Sequence, residues 1–342
     1  MSKYKIVSCA GFGYTGSSIV SDYLSEFENV NTLAGSFEFR FLHDFGGIST
    51  LEDCIVHNYH KQSSDGAIHQ YLQMVDYLSG NLFSRKYNKY FGGKFRELSY
   101  QFIDEITDAK WEGFMESTIM FKHPLKRIVY YQIYPRLKKL INGGGNIGRF
   151  YPRRDMYFSS PSKEYFDSCV RKYLNSLFEI IDPNNEKDYL YFDQIVPPSN
   201  VNRYLDYFDN IKIIVVDRDP RDIYVQNTYL IKESWIPSDV GAFIKMYKGQ
   251  RNNVSREKDN TNILRIRFED AIYKYEDFCN MINRFLGLSE RQHINQKRYF
   301  NPQKSMENTR LWEKNNVDMK EIQQIKDSLY EYCYNYENIN KE

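Results

Sequence analysis

The chain begins with a short apolar run, Lys5-Ile6-Val7-Ser8-Cys9-Ala10, that stops at a glycine-rich turn. Beyond the turn the apolar positions recur as Ile19, Val20, Tyr23, Leu24 and Phe27. The first pattern predicts a buried strand and the second an amphipathic helix, so the chain opens as strand, glycine loop, helix. Ile211 to Asp217 (IKIIVVD), Asn262 to Phe268 (NILRIRF) and Tyr189 to Phe192 (YLYF) predict three more strands. Of these, IKIIVVD is apolar on both faces, as in a parallel sheet covered on both sides. Helical spacing runs from Tyr273 to Leu286, with Gly287 placed to end that helix, and Val317 to Tyr336 predicts a closing helix. Between residues 45 and 185 helical spacing dominates (Ile68 to Leu78, Phe95 to Ile106, Tyr165 to Ile181), with a Gly-, Arg- and Pro-rich loop from Asn142 to Pro161. The expectation is an α/β fold: one domain over residues 1–342 with a parallel sheet flanked by helices, and a mostly helical insertion at 45–185.

Composition narrows the class. A chain of 342 residues with 42% hydrophobic side chains can bury a real core, and no apolar run approaches the length of a membrane span. The N-terminus leads straight into the first strand with no leader-like apolar region, and the five cysteines are scattered without metal-ligand spacing. Both features point to reduced, buried thiols and a cytoplasmic location. A net charge of +1 sets up no general field for nucleic acid. Aromatic residues reach 16%, including 30 Tyr. Core packing explains most of them, with platforms for a sugar or aryl acceptor as the functional alternative.

Glycines at 11, 13 and 16 let successive N–H groups of Gly11-Phe12-Gly13-Tyr14-Thr15-Gly16-Ser17-Ser18 face one concavity, with a helix start behind them. Such a turn suits a phosphate- or sulfate-like anion. It lacks the lysine of a general nucleoside-triphosphatase loop, because Ser17 follows Gly16. The strand ending at Asp217 continues as Arg218-Asp219-Pro220-Arg221-Asp222. An arginine at the carboxyl end of a parallel strand lies where open α/β sheets bind ligands, and its planar fork suits a phosphate. Pairing of Arg218 or Arg221 with the neighbouring aspartates is the structural alternative.

In these segments the chain resembles the sulfotransferase family. Gly11 to Ser18 is similar to the family's 5′-phosphosulfate loop. Val216 to Gln226 is similar to its 3′-phosphate segment, with Arg218 at the phosphate-binding arginine. Arg267-Phe268-Glu269-Asp270 with Phe285-Leu286-Gly287-Leu288, and then Asn301-Pro302-Gln303-Lys304-Ser305 with Asn308, resemble the sequence that follows, including the C-terminal cofactor loop. The resemblance implies a P-loop sulfotransferase-like fold and transfer of a sulfuryl group from 3′-phosphoadenosine 5′-phosphosulfate (PAPS) to a hydroxyl. It implies adenosine 3′,5′-bisphosphate as product and no required metal. Gly13, Tyr14, Thr15, Gly16, Ser17, Ser18, Arg218, Gln226, Lys304 and Ser305 would then hold the cofactor. Two positions depart from the family: Tyr14 stands where Lys or Arg is usual, and Gln226 where Ser is usual. Arg40 or Lys304 is expected to supply the missing cation.

Glu38, in Gly35-Ser36-Phe37-Glu38-Phe39-Arg40, is expected to be the general base, with Arg40 beside it on one face of an extended segment. His43 and His123 are alternative bases. Arg153 and Arg154, among Phe150, Tyr151, Tyr157 and Phe158, and the basic set Lys122 to Arg127 are candidates for acceptor contact or for solvated surface. The family analogy suggests a saccharide or glycolipid acceptor, with residues 45–185 as the acceptor-side lobe. A nucleotide-binding protein without catalysis, or a P-loop kinase or NTPase, would account for parts of the same pattern.

Overall fold

The computed structural model describes residues 4–33, 37–80, 86–115, 124–141, 153–184, 186–233 and 235–337. Seven strands form among them: β1 (Lys5–Gly11), β2 (Val30–Asn31), β3 (Ala109–Gly113), β4 (Arg154–Phe158), β5 (Tyr189–Asp193), β6 (Ile211–Asp217) and β7 (Ile263–Arg267). The chain divides into two compact units, Met1–Asp44 with Leu174–Glu342, and Phe45–Tyr173.

The first unit holds a parallel five-stranded sheet in the order β2-β5-β1-β6-β7. All four strands expected from the sequence are in it. The expected fold class, a parallel sheet flanked by helices, is the one observed. Alternation along β1 sends Val7 and Cys9 to one face, where they pack with Tyr189, Tyr191, Ile214, Val216 and the helices Ser18–Leu24 and Tyr275–Leu286. Leu190 and Phe192 point to the opposite face, where the Phe178 ring centre lies 4.9 Å from that of Phe192. From β1 the chain moves toward β2 on one side, and from β6 toward β7 on the other. The carboxyl ends of β1 and β6 therefore flank a topological switch point, where ligands of open α/β sheets bind.

Two expected helices differ from what forms. The stretch from Tyr273 to Leu286 begins earlier, as Phe268–Tyr273, breaks at Lys274 (φ −128°) and resumes as Tyr275–Leu286, ending at Gly287 (φ 77°). The closing helix is only Met319–Ser328, started by Asp318 capping the Lys320 N–H at 2.8 Å. Past it the backbone turns inward, and the Tyr334 N–H donates to Asp219 at 2.8 Å. Tyr336 then packs against Tyr273 and Trp312, so it serves as core rather than as part of a helix face.

The second unit contains the helices Lys61–Ser79 and Phe95–Ile106 and the antiparallel pair β3–β4. Strand β4 occupies part of the stretch read as a loop between Asn142 and Pro161, while Phe150 and Tyr151 lie outside the described residues. Arg154 forms an ion pair at 2.5 Å with the fully buried Asp65, which also accepts the Tyr157 N–H at 3.0 Å. Arg154 is therefore a fastener between hairpin and helix, while Arg153 is exposed. Lys122 and His123 also fall outside the described residues. The five cysteines are all free thiols.

Two glycines give a paired test. Gly16 has φ +77°, and a Cβ there would sit 2.4 Å from the Phe268 ring; Gly249, in the helix Val240–Val254, has open space around its Cβ position. Gly16→Ala should lose well over ~1 kcal/mol, whereas Gly249→Ala should gain about 0.5–1 kcal/mol, read as shifts in urea midpoint at constant m-value.

Candidate active site

A cleft of about 860 Å³ opens at the carboxyl ends of β1, β5 and β6, entirely within the sheet-bearing unit. The loop Gly11 to Ser18 forms one wall, with Glu38, Arg40, His43, Asp193 and Gln194 on another, and Arg218, Gln226, Ser305 and Asn308 on a third. Gly13, Tyr14, Thr15, Gly16, Ser17, Ser18, Glu38, Arg40, Arg218, Gln226 and Ser305 are thus brought together. Lys304 is not; it is exposed and outside the residues that line the cleft.

The loop turns through three left-handed residues, Gly13 (φ 92°), Tyr14 (φ 52°) and Gly16 (φ 77°). Among the described residues, the N–H groups from Gly13 to Ser18 donate to no protein acceptor, and the helix that follows starts at Ser17 without a side-chain cap. The Thr15 hydroxyl oxygen is buried without a hydrogen-bond partner. Gln194, itself left-handed at φ 55°, accepts the Gly11 N–H on its side chain at 3.3 Å and so ties the loop to the end of β5. The Tyr14 ring packs on Trp235, their centroids 5.5 Å apart, and both line the cleft. The Tyr14 hydroxyl donates to Glu233, and the Trp235 indole N–H reaches that hydroxyl at 3.3 Å.

The two arginines after β6 have different fates. Arg221 clasps Asp219 with both arms of its fork, at 2.9 and 2.6 Å. Arg218 is only 2% exposed, yet among the described residues the acceptors of its guanidinium are neutral: the carbonyls of Tyr14 (2.7 Å) and Asn308, and the amide oxygen of Gln226. Among those residues its Nε has no partner, and its guanidinium lies 4.9 Å from the centre of the Phe268 ring. Asp222 feels the Arg218 charge but already accepts the N–H groups of Arg310 (3.1 Å) and Leu311 (2.6 Å). Arg218 is therefore a buried cation without a dedicated carboxylate, an arrangement that favours an anion arriving from the cleft. Asp217, by contrast, is held by Arg251 at 2.5 and 3.2 Å.

Glu38 bridges to the end of β5: it pairs in parallel with Asp193, and the Phe39 N–H donates to the Asp193 carbonyl at 2.8 Å. Arg40 Nε lies 3.6 Å from Glu38 and 3.7 Å from Asp44 with half its side chain in solvent, so these are weak pairs that a ligand can redirect. Burial holds the His43 pKa below the ordinary histidine value, and its Nε2 lies 2.9 Å from the Gln194 carbonyl, which makes that nitrogen the donor. The lowered pKa favours the neutral form of the imidazole. Sequence reasoning missed Asp193. Burial, and then the Glu38 charge, push its carboxyl up to about 7, and its Oδ1 is buried without a partner. The available signal was its position at the end of the apolar run YLYF, where a strand delivers side chains to the cleft.

No protein-family model matches the chain, and no curated protein matches it. Among solved structures it is similar to two sulfotransferase domains. One is from the curacin biosynthetic pathway, with TM-score 0.41, 12% identity, and coverage of 96% of this chain and 97% of that one. The other is from the olefin synthase of Synechococcus PCC 7002, with TM-score 0.42, 11% identity, and coverage of 98% and 96%. It is also similar to a retinol dehydratase in complex with androsterone and the inactive cofactor PAP, with TM-score 0.33, 14% identity, and coverage of 97% and 83%. The case for function rests on the residues of the cleft.

Asp193 yields a pH prediction. A carboxyl raised in the folded state costs stability once it ionises, so its contribution is intact at low pH and is lost as pH rises through about 7. Asp193→Asn should therefore raise Tm more at pH 8 than at pH 5.5. A shift that is equal at the two pH values would contradict the assignment.

Proposed function

We propose that this protein is a sulfotransferase that takes its sulfuryl group from 3′-phosphoadenosine 5′-phosphosulfate and passes it to an acceptor hydroxyl. The observation that carries this reading is Arg218: a buried guanidinium with no carboxylate of its own, one hydrogen bond away from a glycine loop with unclaimed N–H groups. Two anion sites side by side suit a nucleotide that bears phosphate at both its 3′ and 5′ positions. Arg218, with the Gln226 amide N–H groups, Ser305 and Asn308, would hold the 3′-phosphate. The N–H groups from Gly13 to Ser18 and the Thr15 hydroxyl would hold the 5′ end. The engagement of Asp217 by Arg251 speaks against a magnesium-dependent NTPase, which would want that carboxylate for the metal.

In the reaction the acceptor oxygen forms a bond to sulfur as the bond between sulfur and the 5′-phosphate oxygen breaks. Glu38 takes the hydroxyl proton as general base, and positioning with charge stabilisation supplies most of the acceleration. Arg40 and Arg218 are the lysine or arginine side chains among the described lining residues. Arg218 is committed to the 3′ side, so Arg40 is the cation available for charge developing on the leaving oxygen. Tyr14, turned toward Glu233 and Trp235, contributes its backbone to the loop rather than a charge. Saccharide and glycolipid hydroxyls are the acceptor classes we favour, on the family resemblance. Nucleotide binding without transfer is the second reading, and the absence of a loop cation at Tyr14 is the observation that favours it.

Incubation with labelled PAPS and a cell-extract acceptor pool tests the reading. The wild-type protein should label an acceptor, and Glu38→Gln should lose about 100-fold or more in kcat with nucleotide affinity within about threefold of wild type. No label transfer by wild type, with nucleotide still bound, would leave the non-catalytic reading standing.

A further inference from the structure

Within the Phe45–Tyr173 unit, Pro124–Ile128, Val129–Ile133 and Tyr134–Ile141 follow one another as a continuous helical stretch, α, then one π-turn, then α. None of its described side chains is buried. Ile128, Val129, Ile133 and Leu137 are 44–53% exposed, and Leu140 and Ile141 are 82% and 81% exposed. The same stretch carries Lys126, Arg127, Arg136, Lys138 and Lys139 in sequence, and contains no Asp or Glu.

The π-turn organises this composition. In an uninterrupted α-helix, at about 100° per residue, the apolar side of the first five residues would face roughly half a turn away from that of the last eight. The π-turn takes up about one residue of phase, or roughly 100°, and so closes more than half of that offset. Ile128 and Leu140 then come onto one side, with Arg127 and Lys139 on the other. Tyr130, Tyr131 and Tyr134 add rings with an apolar body and a polar tip, suited to a water–hydrocarbon boundary.

We propose that Pro124–Ile141 is an interfacial helix that docks this protein on an anionic lipid bilayer. A large apolar face, a basic polar face and low net hydrophobicity are the marks of a helix that lies in the membrane surface. No helix of the described residues is long and apolar enough to cross a membrane, so the contact is a surface one. Five positive charges with no acidic residue among them complement acidic headgroups. The proposal is independent of the chemistry in the cleft.

Sedimentation of the full chain with phosphatidylcholine vesicles, with and without phosphatidylglycerol, provides the test, alongside light scattering for oligomeric state. The wild-type protein should bind the anionic vesicles at least tenfold more tightly than the neutral ones, and added salt should weaken that binding. Leu137→Glu with Leu140→Glu should abolish binding, and Arg136→Gln with Lys139→Gln should reduce it about tenfold or more, both with Tm unchanged. Absence of vesicle binding, or binding that survives Leu137→Glu with Leu140→Glu, would overturn the proposal. A wild-type dimer that binds no vesicles and that Leu137→Glu converts to a monomer would assign the face to a second copy of the chain instead.

Discussion

Taking a guanidinium out of water is costly unless an opposite charge or a full set of acceptors replaces its hydration. Arg218 sits 2% exposed with a partial set: two carbonyls, one side-chain amide and the face of Phe268, and an Nε with no partner. Its position is over-determined by its surroundings. Asp219 caps the following helix, receives the fork of Arg221 and the Tyr334 N–H, and gives its own N–H to Glu269 at 2.7 Å. Asp222 receives the N–H groups of Arg310 and Leu311. These contacts tie the end of β6 to the C-terminal segments and carry Ser305 and Asn308 to the cleft. The same turn that is fully satisfied at Asp219 and Asp222 leaves Arg218 with capacity to spare, and that contrast locates the function.

The opposite wall has a different electrostatic character. Glu38 and Asp193 are neighbours on a β-bridge, and an anionic donor has to approach both. Burial eases the conflict by pushing Asp193 up to about 7, so that near neutral pH it carries only part of a charge, while Glu38, the proposed base, stays half in solvent. Arg40, weakly paired with Glu38 and Asp44, adds a compensating charge on the same wall. On the proposed reading, the carboxyl groups inside an anion-binding cleft mark a division of labour: Arg218 and the loop amides would bind, and Glu38 would take the proton.

The sheet was legible because strands buried on both faces are written as near-continuous apolar runs, and IKIIVVD matches β6 residue for residue. The loop was legible because only glycine readily adopts the left-handed turns at positions 13 and 16. Other features were not legible, for physical reasons. Whether Arg218 or Arg221 would be consumed by the aspartates depends on fork geometry that the string RDPRD does not encode. Asp193 looked like any strand-end polar residue, because its raised pKa comes from burial and from Glu38, far away in sequence. The closing helix expected to reach Tyr336 stops at Ser328, and Tyr336 packs instead against Tyr273 and Trp312, contacts distant in sequence. For Arg154 the sequence leaves acceptor contact and solvated surface both open, and its pairing with the buried Asp65, again distant in sequence, is neither.

The central claim, that Arg218 waits for the 3′-phosphate of a nucleotide, is tested most directly by calorimetric titration of adenosine 3′,5′-bisphosphate without magnesium. It should be run on the wild-type protein and on Arg218→Met, with adenosine 5′-monophosphate as the reference ligand. The account predicts that the bisphosphate binds wild type far more tightly than the monophosphate, and that Arg218→Met costs the bisphosphate about 100-fold while hardly affecting the monophosphate. Equal affinity of wild type for the two nucleotides, or equal losses for both on substitution, would contradict it.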